Sequence, residues 1–275
     1  MGFEEKLFKF LNNTKKFITI IGSGGKTTTM YYLAEKFVEK FNKNVLITTT
    51  TKIFYPENYK VIITDSIEKL KKISNKIVVS GGGVTKENKI IPLDLEVLSD
   101  LRKYFSLILI EGDGSKGKSL KGYADYEPVI PDFTDIVITI IGMDILGKPF
   151  NENYVHRFEI LKKILKKEEN EPITVNDIKN SILKSYIPQM PANTINYLIL
   201  NKILEKDFKN VEKLKKEILA KISQFKEIFL IPFQRGNNQK GTIKELNYEK
   251  KRSDIIASQN KNLNYLLTPN FLSSI

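Results

Sequence analysis

Phe17-Ile18-Thr19-Ile20-Ile21-Gly22-Ser23-Gly24-Gly25-Lys26-Thr27-Thr28-Thr29 is the stretch on which the fold turns. Phe17 to Ile21 is a β-branched, largely apolar run and reads as a buried strand. Lys26 to Phe41 reads as a helix, with Met30, Leu33, Ala34, Phe37, Val38 and Phe41 at helical spacing. A strand that enters a helix through a glycine-rich turn is the context of a phosphate-binding loop. Glycines let backbone N–H groups turn inward around an anion, and the helix N-terminus adds its dipole. In that reading Lys26 reaches the β- and γ-phosphates and the Thr27 hydroxyl holds Mg²⁺, while Gly22, Ser23, Gly24, Gly25 and Thr28 complete the cradle. Three consecutive threonines at a helix start have little structural reason otherwise, because threonine is a mediocre helix former.

The spacing departs from the common G-x-x-x-x-G-K-[ST] form, since Ile20 stands five residues before Gly25. The shorter Gly-x-x-Gly-Lys-Thr form is similar to the loop of Mur-type peptide ligases. The deviant loop of the ParA/MinD class requires a lysine where this chain has Ile21.

Outward from the loop, strand patterns alternate with helical ones. Strands are expected at 44–49, 60–64, 76–80, 106–110, 135–141, 194–200 and 227–231. Helices are expected at 66–73, 95–104, 153–167, 174–183 and about 211–222. Near-continuous apolar strands between helices predict an α/β fold: a mostly parallel sheet flanked by helices on both faces, of the P-loop NTPase type. One domain over residues 1–275 is expected, with nucleotide-binding motifs in 17–157 and with 158–275 completing the sheet or binding a partner. From about Lys250 the pattern supports no assignment.

Composition removes several chemistries. The chain has no cysteine, which excludes disulfides, thiolate metal sites and a cysteine nucleophile. It also prevents the chain from carrying sulfur or selenium as a persulfide-type adduct. Its single histidine, His156, excludes a multi-histidine metal site, so oxygen ligands and Mg²⁺-like chemistry remain. The net charge of +12 comes almost wholly from dispersed lysines, read as solvated faces rather than a nucleic-acid surface. Arginine occurs only at Arg102, Arg157, Arg235 and Arg252. No apolar stretch reaches the ~18–20 residues of a membrane span. Acidic Glu4 and Glu5 stand where a signal peptide needs basic residues, and the protein reads as cytoplasmic.

A second strand end carries carboxylates. Leu107 to Ile110 leads into Glu111-Gly112-Asp113-Gly114-Ser115, the placement that Mg²⁺–nucleotide chemistry needs. One acid there can hold the metal, with Thr27, and the other can hold it too or act as a base. Thr48 to Thr51 and Lys52 end another strand and are read as lining the phosphate or substrate site, the alternative being plain strand threonine. Lys118 is read as one more solvated lysine, and Asn201-Lys202 as a turn after a strand.

Taken in order, Gly-Ser-Gly-Gly-Lys-Thr-Thr, Thr-Thr-Thr-Lys, Glu-x-Asp-Gly-Ser-x-Gly-x-x-Leu-Lys, Glu-Pro-Val-Ile-Pro, Ile-Gly-x-Asp-x-Leu-Gly-Lys-Pro and Val-His-Arg resemble the YqeC family. That family is described as accessory or selenium-cofactor biosynthesis proteins of selenium-dependent molybdenum hydroxylases. The likeness runs from about Ile18 to Arg157. It implies a nucleotide-binding P-loop protein using ATP and Mg²⁺, GTP being the second choice, in maturation of a selenium-containing molybdenum cofactor. The partners it implies are that cofactor or a selenium donor, and the hydroxylase. It carries Gly22, Gly25, Lys26, Thr27, Glu111 and Asp113 as the nucleotide centre, and Lys121, Glu127, Asp144, His156 and Arg157 as second-site residues. His156 is then an acid/base and Arg157 an anion clamp. Two departures stand out. Tyr126 occupies a position where the family favours histidine. Leu204 stands where an Asn-Lys-x-Asp element would place the carboxylate that reads guanine. Two further readings stay open: a nucleotide-switch chaperone for cofactor insertion, and a nucleic-acid-binding ATPase.

Overall fold

The structure is a computed structural model and describes residues 3–11 and 17–232. In chain order the elements are α1 (Phe3–Phe8), β1 (Phe17–Gly22), α2 (Lys26–Phe41), β2 (Val45–Thr49), β3 (Ile53–Phe54), β4 (Lys60–Ile63), α3 (Ile67–Leu70), β5 (Ile77–Gly81), β6 (Gly83–Val84), β7 (Lys89–Ile91) and α4 (Leu95–Asp100). There follow β8 (Leu107–Glu111), β9 (Leu120–Lys121), β10 (Ile136–Gly142), β11 (Val155–His156), α5 (Phe158–Leu165), α6 (Val175–Ser181), β12 (Ile195–Ile203), α7 (Phe208–Lys221) and β13 (Phe225–Pro232).

Eight strands form one sheet in the order β13-β12-β10-β1-β8-β2-β5-β4. Every pairing in it is parallel. All carboxyl ends therefore share one edge, and β1 lies between β8 and β10 at the point where the order reverses. Ligands bind outside the carboxyl ends at such a switch point. The glycine loop, the acidic end of β8 and the ends of β10 and β12 all meet there.

Side chains alternate between faces with a period of two. Ile18, Ile20, Val45, Ile47, Leu107 and Leu109 pack beneath Met30, Leu33, Ala34 and Phe37 of α2 and Leu7 and Phe8 of α1. On the opposite face Phe17, Leu46, Val78, Ile108 and Ile110 meet Leu70 and Leu98 of α3 and α4. Further along that face, Leu198, Leu200, Ile228 and Leu230 pack with Leu161, Ile178, Val211, Leu214 and Ile218 of α5, α6 and α7. Helices thus cover both faces, and the fold is the expected α/β fold of the P-loop NTPase type. β12 and β13 extend the sheet that carries the loop. No helix among the described residues is long and apolar enough to cross a membrane.

Several elements differ from the sequence expectation. The helix expected over 153–167 begins only at Phe158. Arg157 adopts a left-handed backbone with φ 54°, and Val155–His156 pair in parallel with Leu120–Lys121, which consumes the expected first turn. Lys166, also left-handed, ends the helix. The 66–73 helix shrinks to Ile67–Leu70. The 174–183 helix runs on as a π-helical turn, Ile182–Tyr186. β12 continues past Leu200 through Asn201 and Lys202, with a register break there, so the pair lies in a bulged strand end rather than in a turn. β3, β7 and β6 form a small antiparallel sheet that escapes prediction because strands of two or three residues show no period. The segment from Lys250 lies outside the described residues.

Leu109 lies at the centre of the α2-covered face and is fully buried. Leu109→Ala is expected to lower unfolding free energy by about 2–5 kcal/mol through lost burial and the cavity left behind. Urea unfolding checks this, with an unchanged m-value as the sign that only native packing was lost.

Candidate functional site

The loop after β1 is held in its shape by contacts that require glycine. Gly22 has φ +96°, and a Cβ there would lie 2.2 Å from the Ile140 carbonyl oxygen of β10. Gly25 has φ +129°, and a Cβ there would lie 2.4 Å from Nδ2 of Asn201. The Ser23 N–H donates to the Ile140 carbonyl at 2.8 Å, and Asn201 Nδ2 donates to the Gly24 carbonyl at 2.8 Å. β10 and β12 thus both grip the loop. α2 starts at Gly25 with no side-chain cap and no acidic residue in its first turn. Helix geometry leaves the first N–H groups without intrahelical acceptors, so they remain donors for an anion.

On the other flank, β8 brings its acids to the loop. Glu111 shares its face with Leu107 and Leu109 and therefore points toward α2. Thr27 Oγ1 donates to Glu111 Oε2 at 2.9 Å. Burial pushes the Glu111 carboxyl above its usual range, with Asp113 adding repulsion, while Lys26, Thr27 and Lys121 oppose the shift. Threonines at and just after the end of β2 hold this region. Thr49 Oγ1 donates to the Glu111 carbonyl at 2.9 Å and Thr50 Oγ1 to that of Val129 at 2.7 Å.

Asp113 is fully buried and fully engaged. Its carboxylate accepts from the Gly22 N–H at 3.0–3.1 Å, pairs with Lys26 Nζ at 3.2 Å and accepts from Lys121 Nζ at 3.0 Å. Lys26 Nζ also donates to the Gly22 carbonyl at 2.7 Å. The expectation that Asp113 is a metal ligand or base meets a different placement: its oxygens already tie the loop to the segment after β8. Lys121, equally buried, also donates to the Gly114 carbonyl at 2.7 Å and to Glu127 Oε2 at 2.8 Å, and lies 4.6 Å from the Tyr123 ring centroid. Glu127 Oε1 pairs with Arg157 at 3.0 Å, and Arg157 donates to the Tyr126 hydroxyl at 2.7 Å while lying over its ring. The expected second-site residues Lys121, Glu127 and Arg157 are therefore links of one ion chain that starts at Lys26.

His156 adjoins this chain through its backbone, its carbonyl accepting from the Gly122 N–H at 2.9 Å. Burial, then Lys121 and Arg157, lower its pKa to about 4. Near neutral pH it is uncharged and has no imidazolium proton to donate. Asp144, after β10, pairs with Lys202 at 3.3 Å. Ser23 is buried with its hydroxyl 3.5 Å from the Tyr186 hydroxyl, and Thr28 is exposed. Lys52 is exposed and precedes β3, and the lowered pKa of Glu87, due first to Thr85, also owes something to its charge. Lys118 donates to the carbonyls of Glu152 and Val155, which makes it a tie for the loop after β8 rather than a free lysine. No group of three or more metal-ligating His, Asp or Glu side chains occurs among the described residues.

Sequence reasoning missed Tyr186 and undervalued Asn201. Tyr186 comes from the π turn, accepts from the Lys121 N–H at 3.2 Å and meets Ser23. Tyr31 stands one turn after Thr27 on α2, and its buried hydroxyl lacks a hydrogen-bond partner. Burial, and then the charge of Glu111, raise its pKa. The i, i+4 relation to Thr27 was the one sequence signal that pointed to it.

A strand, a glycine loop locked by two neighbouring strands, a buried lysine and a threonine–glutamate pair at an uncapped helix start define an α/β protein with a P-loop. The family model described as "YqeC protein" matches residues 18–159, just over half of the chain. The chain belongs to the YqeC family. It is 33% identical over 147 residues to "Uncharacterized protein YqeC" of Escherichia coli strain K12, a match covering 51% of this chain and 57% of that protein. The aligned part thus spans little more than half of the relative's length. Among solved structures, MinD cell division protein of Aquifex aeolicus is 13% identical, with 80% of this chain and 82% of that one covered and a TM-score of 0.36. HypB from Helicobacter pylori, in complex with nickel, is 13% identical, with 98% and 95% covered and a TM-score of 0.36. Scores this low carry no functional weight.

Two outcomes test the ion chain. Lys121→Ala leaves Asp113 and Glu127 without their shared cation and is expected to cost about 3–5 kcal/mol in urea unfolding. His156 has the second outcome. An unfolded chain binds a proton near pH 6.5 that the native imidazole refuses until about 4, so stability falls as pH drops through that window. The difference in unfolding midpoint between wild type and His156→Gln, followed from pH 7 to pH 4, is expected to move in favour of the variant.

Proposed function

We propose that the chain binds a Mg²⁺–nucleoside triphosphate at this loop and couples its hydrolysis or phosphoryl transfer to a maturation reaction. The observation that carries the reading is the Thr27–Glu111 contact at the open end of α2. A hydroxyl and a carboxylate whose charge is disfavoured by burial meet beside donors suited to phosphate. That donor set fits Mg²⁺, a hard cation that takes oxygen ligands. Thr27 and Glu111 are the residues that would hold it, and its charge would neutralise the outer phosphate oxygens. Lys26, resting on Gly22 and Asp113, is the side chain free to exchange those partners for a phosphate oxygen. Asp113 and the glycines hold the cradle in place. ATP is preferred over GTP because Leu204 offers no carboxylate to guanine.

The link to a selenium-containing molybdenum cofactor, and to a molybdenum hydroxylase as partner, rests on the motif resemblance. Without cysteine, selenium arrives as an activated small molecule or on a partner. The switch-chaperone reading has one observation in its favour. The ion chain from Lys26 through Asp113, Lys121 and Glu127 to Arg157 ends against the exposed Tyr126, a path from the loop to a surface. That reading expects a partner hydroxylase to stimulate slow hydrolysis.

Calorimetry and phosphate release test the proposal. Wild type is expected to bind ATP in a Mg²⁺-dependent manner, Lys26→Ala to bind at least ~10-fold more weakly, a loss of about 1.4 kcal/mol, and Thr27→Ala to lose the Mg²⁺ dependence. ATP turnover untouched by Lys26→Ala would sink the assignment.

A further inference from the structure

Lys26 and Lys121 share one carboxylate, and they hold it differently. Lys121 Nζ donates to Asp113 Oδ2 at 3.0 Å, to the Gly114 carbonyl at 2.7 Å and to Glu127 Oε2 at 2.8 Å. An ammonium has three N–H donors, so Lys121 has none left for a ligand. Its side chain and that of Asp113 are both fully buried. Lys26 Nζ uses the other oxygen, Asp113 Oδ1, at 3.2 Å, and donates to the Gly22 carbonyl at 2.7 Å. Of these contacts on the carboxylate, the one from Lys26 is the longest.

The charges of the ion chain do not balance. Lys26, Lys121 and Arg157 face Asp113 and Glu127. Without Lys26 the rest is even, with Lys121 and Arg157 against the same carboxylates. Lys26 is thus the surplus cation. Moving it onto a phosphate takes one cation from Asp113, and a buried carboxylate left without any cation carries a large desolvation cost. Lys121 removes that cost. It stays on Oδ2 while the Gly22 N–H stays 3.0–3.1 Å from both oxygens. With a neutral side chain at position 121, Asp113 has Lys26 as its remaining cation and competes with the phosphate for it.

We propose that Lys121 is a positioning residue for phosphate binding: it is the standing counter-ion of Asp113 and so releases Lys26 to the phosphates, which it does not itself touch. This rests on the nucleotide reading above. The sign of each substitution follows. Removing the Lys121 charge ties Lys26 to Asp113 and weakens phosphate binding. Removing the Asp113 charge unties Lys26 and adds net positive charge beside the loop, which strengthens it. Removing both cancels, because the carboxylate that Lys121 neutralises is gone. A role for these residues in the shape of the loop alone has the opposite signature: each substitution weakens binding, and the double variant is the weakest.

Calorimetry with Mg²⁺–tripolyphosphate, on wild type, Lys121→Met, Asp113→Asn and the double variant, tests this. Methionine keeps the length of the stem without its charge, and asparagine keeps an acceptor for the Gly22 N–H. Circular dichroism and urea unfolding establish that each variant is folded. Lys121→Met is expected to bind at least ~10-fold more weakly than wild type, about 1.4 kcal/mol. Asp113→Asn is expected to bind at least as tightly as wild type. The double variant is expected to return to within about threefold of wild type, a coupling that independent losses do not produce. Wild-type affinity in Lys121→Met overturns the proposal and leaves the phosphate loop standing. So does a double variant no tighter than Lys121→Met, or an Asp113→Asn weaker than wild type. Should Lys121→Met fail to fold, Asp113→Asn decides alone by that last criterion. Absence of binding by wild type removes the nucleotide reading, and this proposal with it.

Discussion

Asp113 is the constraint on which the rest of the site depends. A fully buried carboxylate is tolerated only where charges and donors surround it. Here the Gly22 N–H, Lys26 and Lys121 supply them. Each of those three belongs to a different segment: the end of β1, the start of α2 and β9. One carboxylate therefore sets the curvature of the loop, the rest position of its lysine and the course of the chain after β8. The demand passes outward. Lys121 needs Glu127 as well, and Glu127 needs Arg157, whose left-handed backbone in turn sets where α5 begins.

The two carboxylates at the end of β8 illustrate how environment divides labour between like groups. Glu111 and Asp113 are two residues apart, yet only Asp113 is closed in by cations. Glu111 faces a hydroxyl and the mouth of the loop, and burial makes its charge costly there. A carboxylate in that condition gains most from a bound cation. Tyr31, one turn along α2 from Thr27, feels that same charge, which adds to burial in raising its pKa. The sheet's parallel order makes the division possible, because it delivers every one of these groups to a single edge.

Much of this was legible in the sequence. The strand–loop–helix unit, the acidic strand end and the parallel α/β class followed from short-range pattern, which local physics governs. Less legible was what each polar residue touches. Lys121 and Glu127 read as ligands for a second molecule and prove to be partners of each other. Asn201 read as a turn and proves to be a brace for Gly24, a contact between residues far apart in the chain. Tyr186 gave no signal, since its role depends on a π turn that carries its ring under the loop.

The sequence by itself determined the periodicities, the glycines that a tight anion-binding turn needs, and the chemistry excluded by having no cysteine and one histidine. Tertiary structure alone decided which charges are spent on each other and which remain for a ligand. The physical reason is that hydrogen-bond and ion-pair partners are chosen by where strands and turns place side chains in space. Spacing along the chain cannot record a pairing between β1, β8, β9 and β12, because the sheet order that joins them is set by packing on both faces.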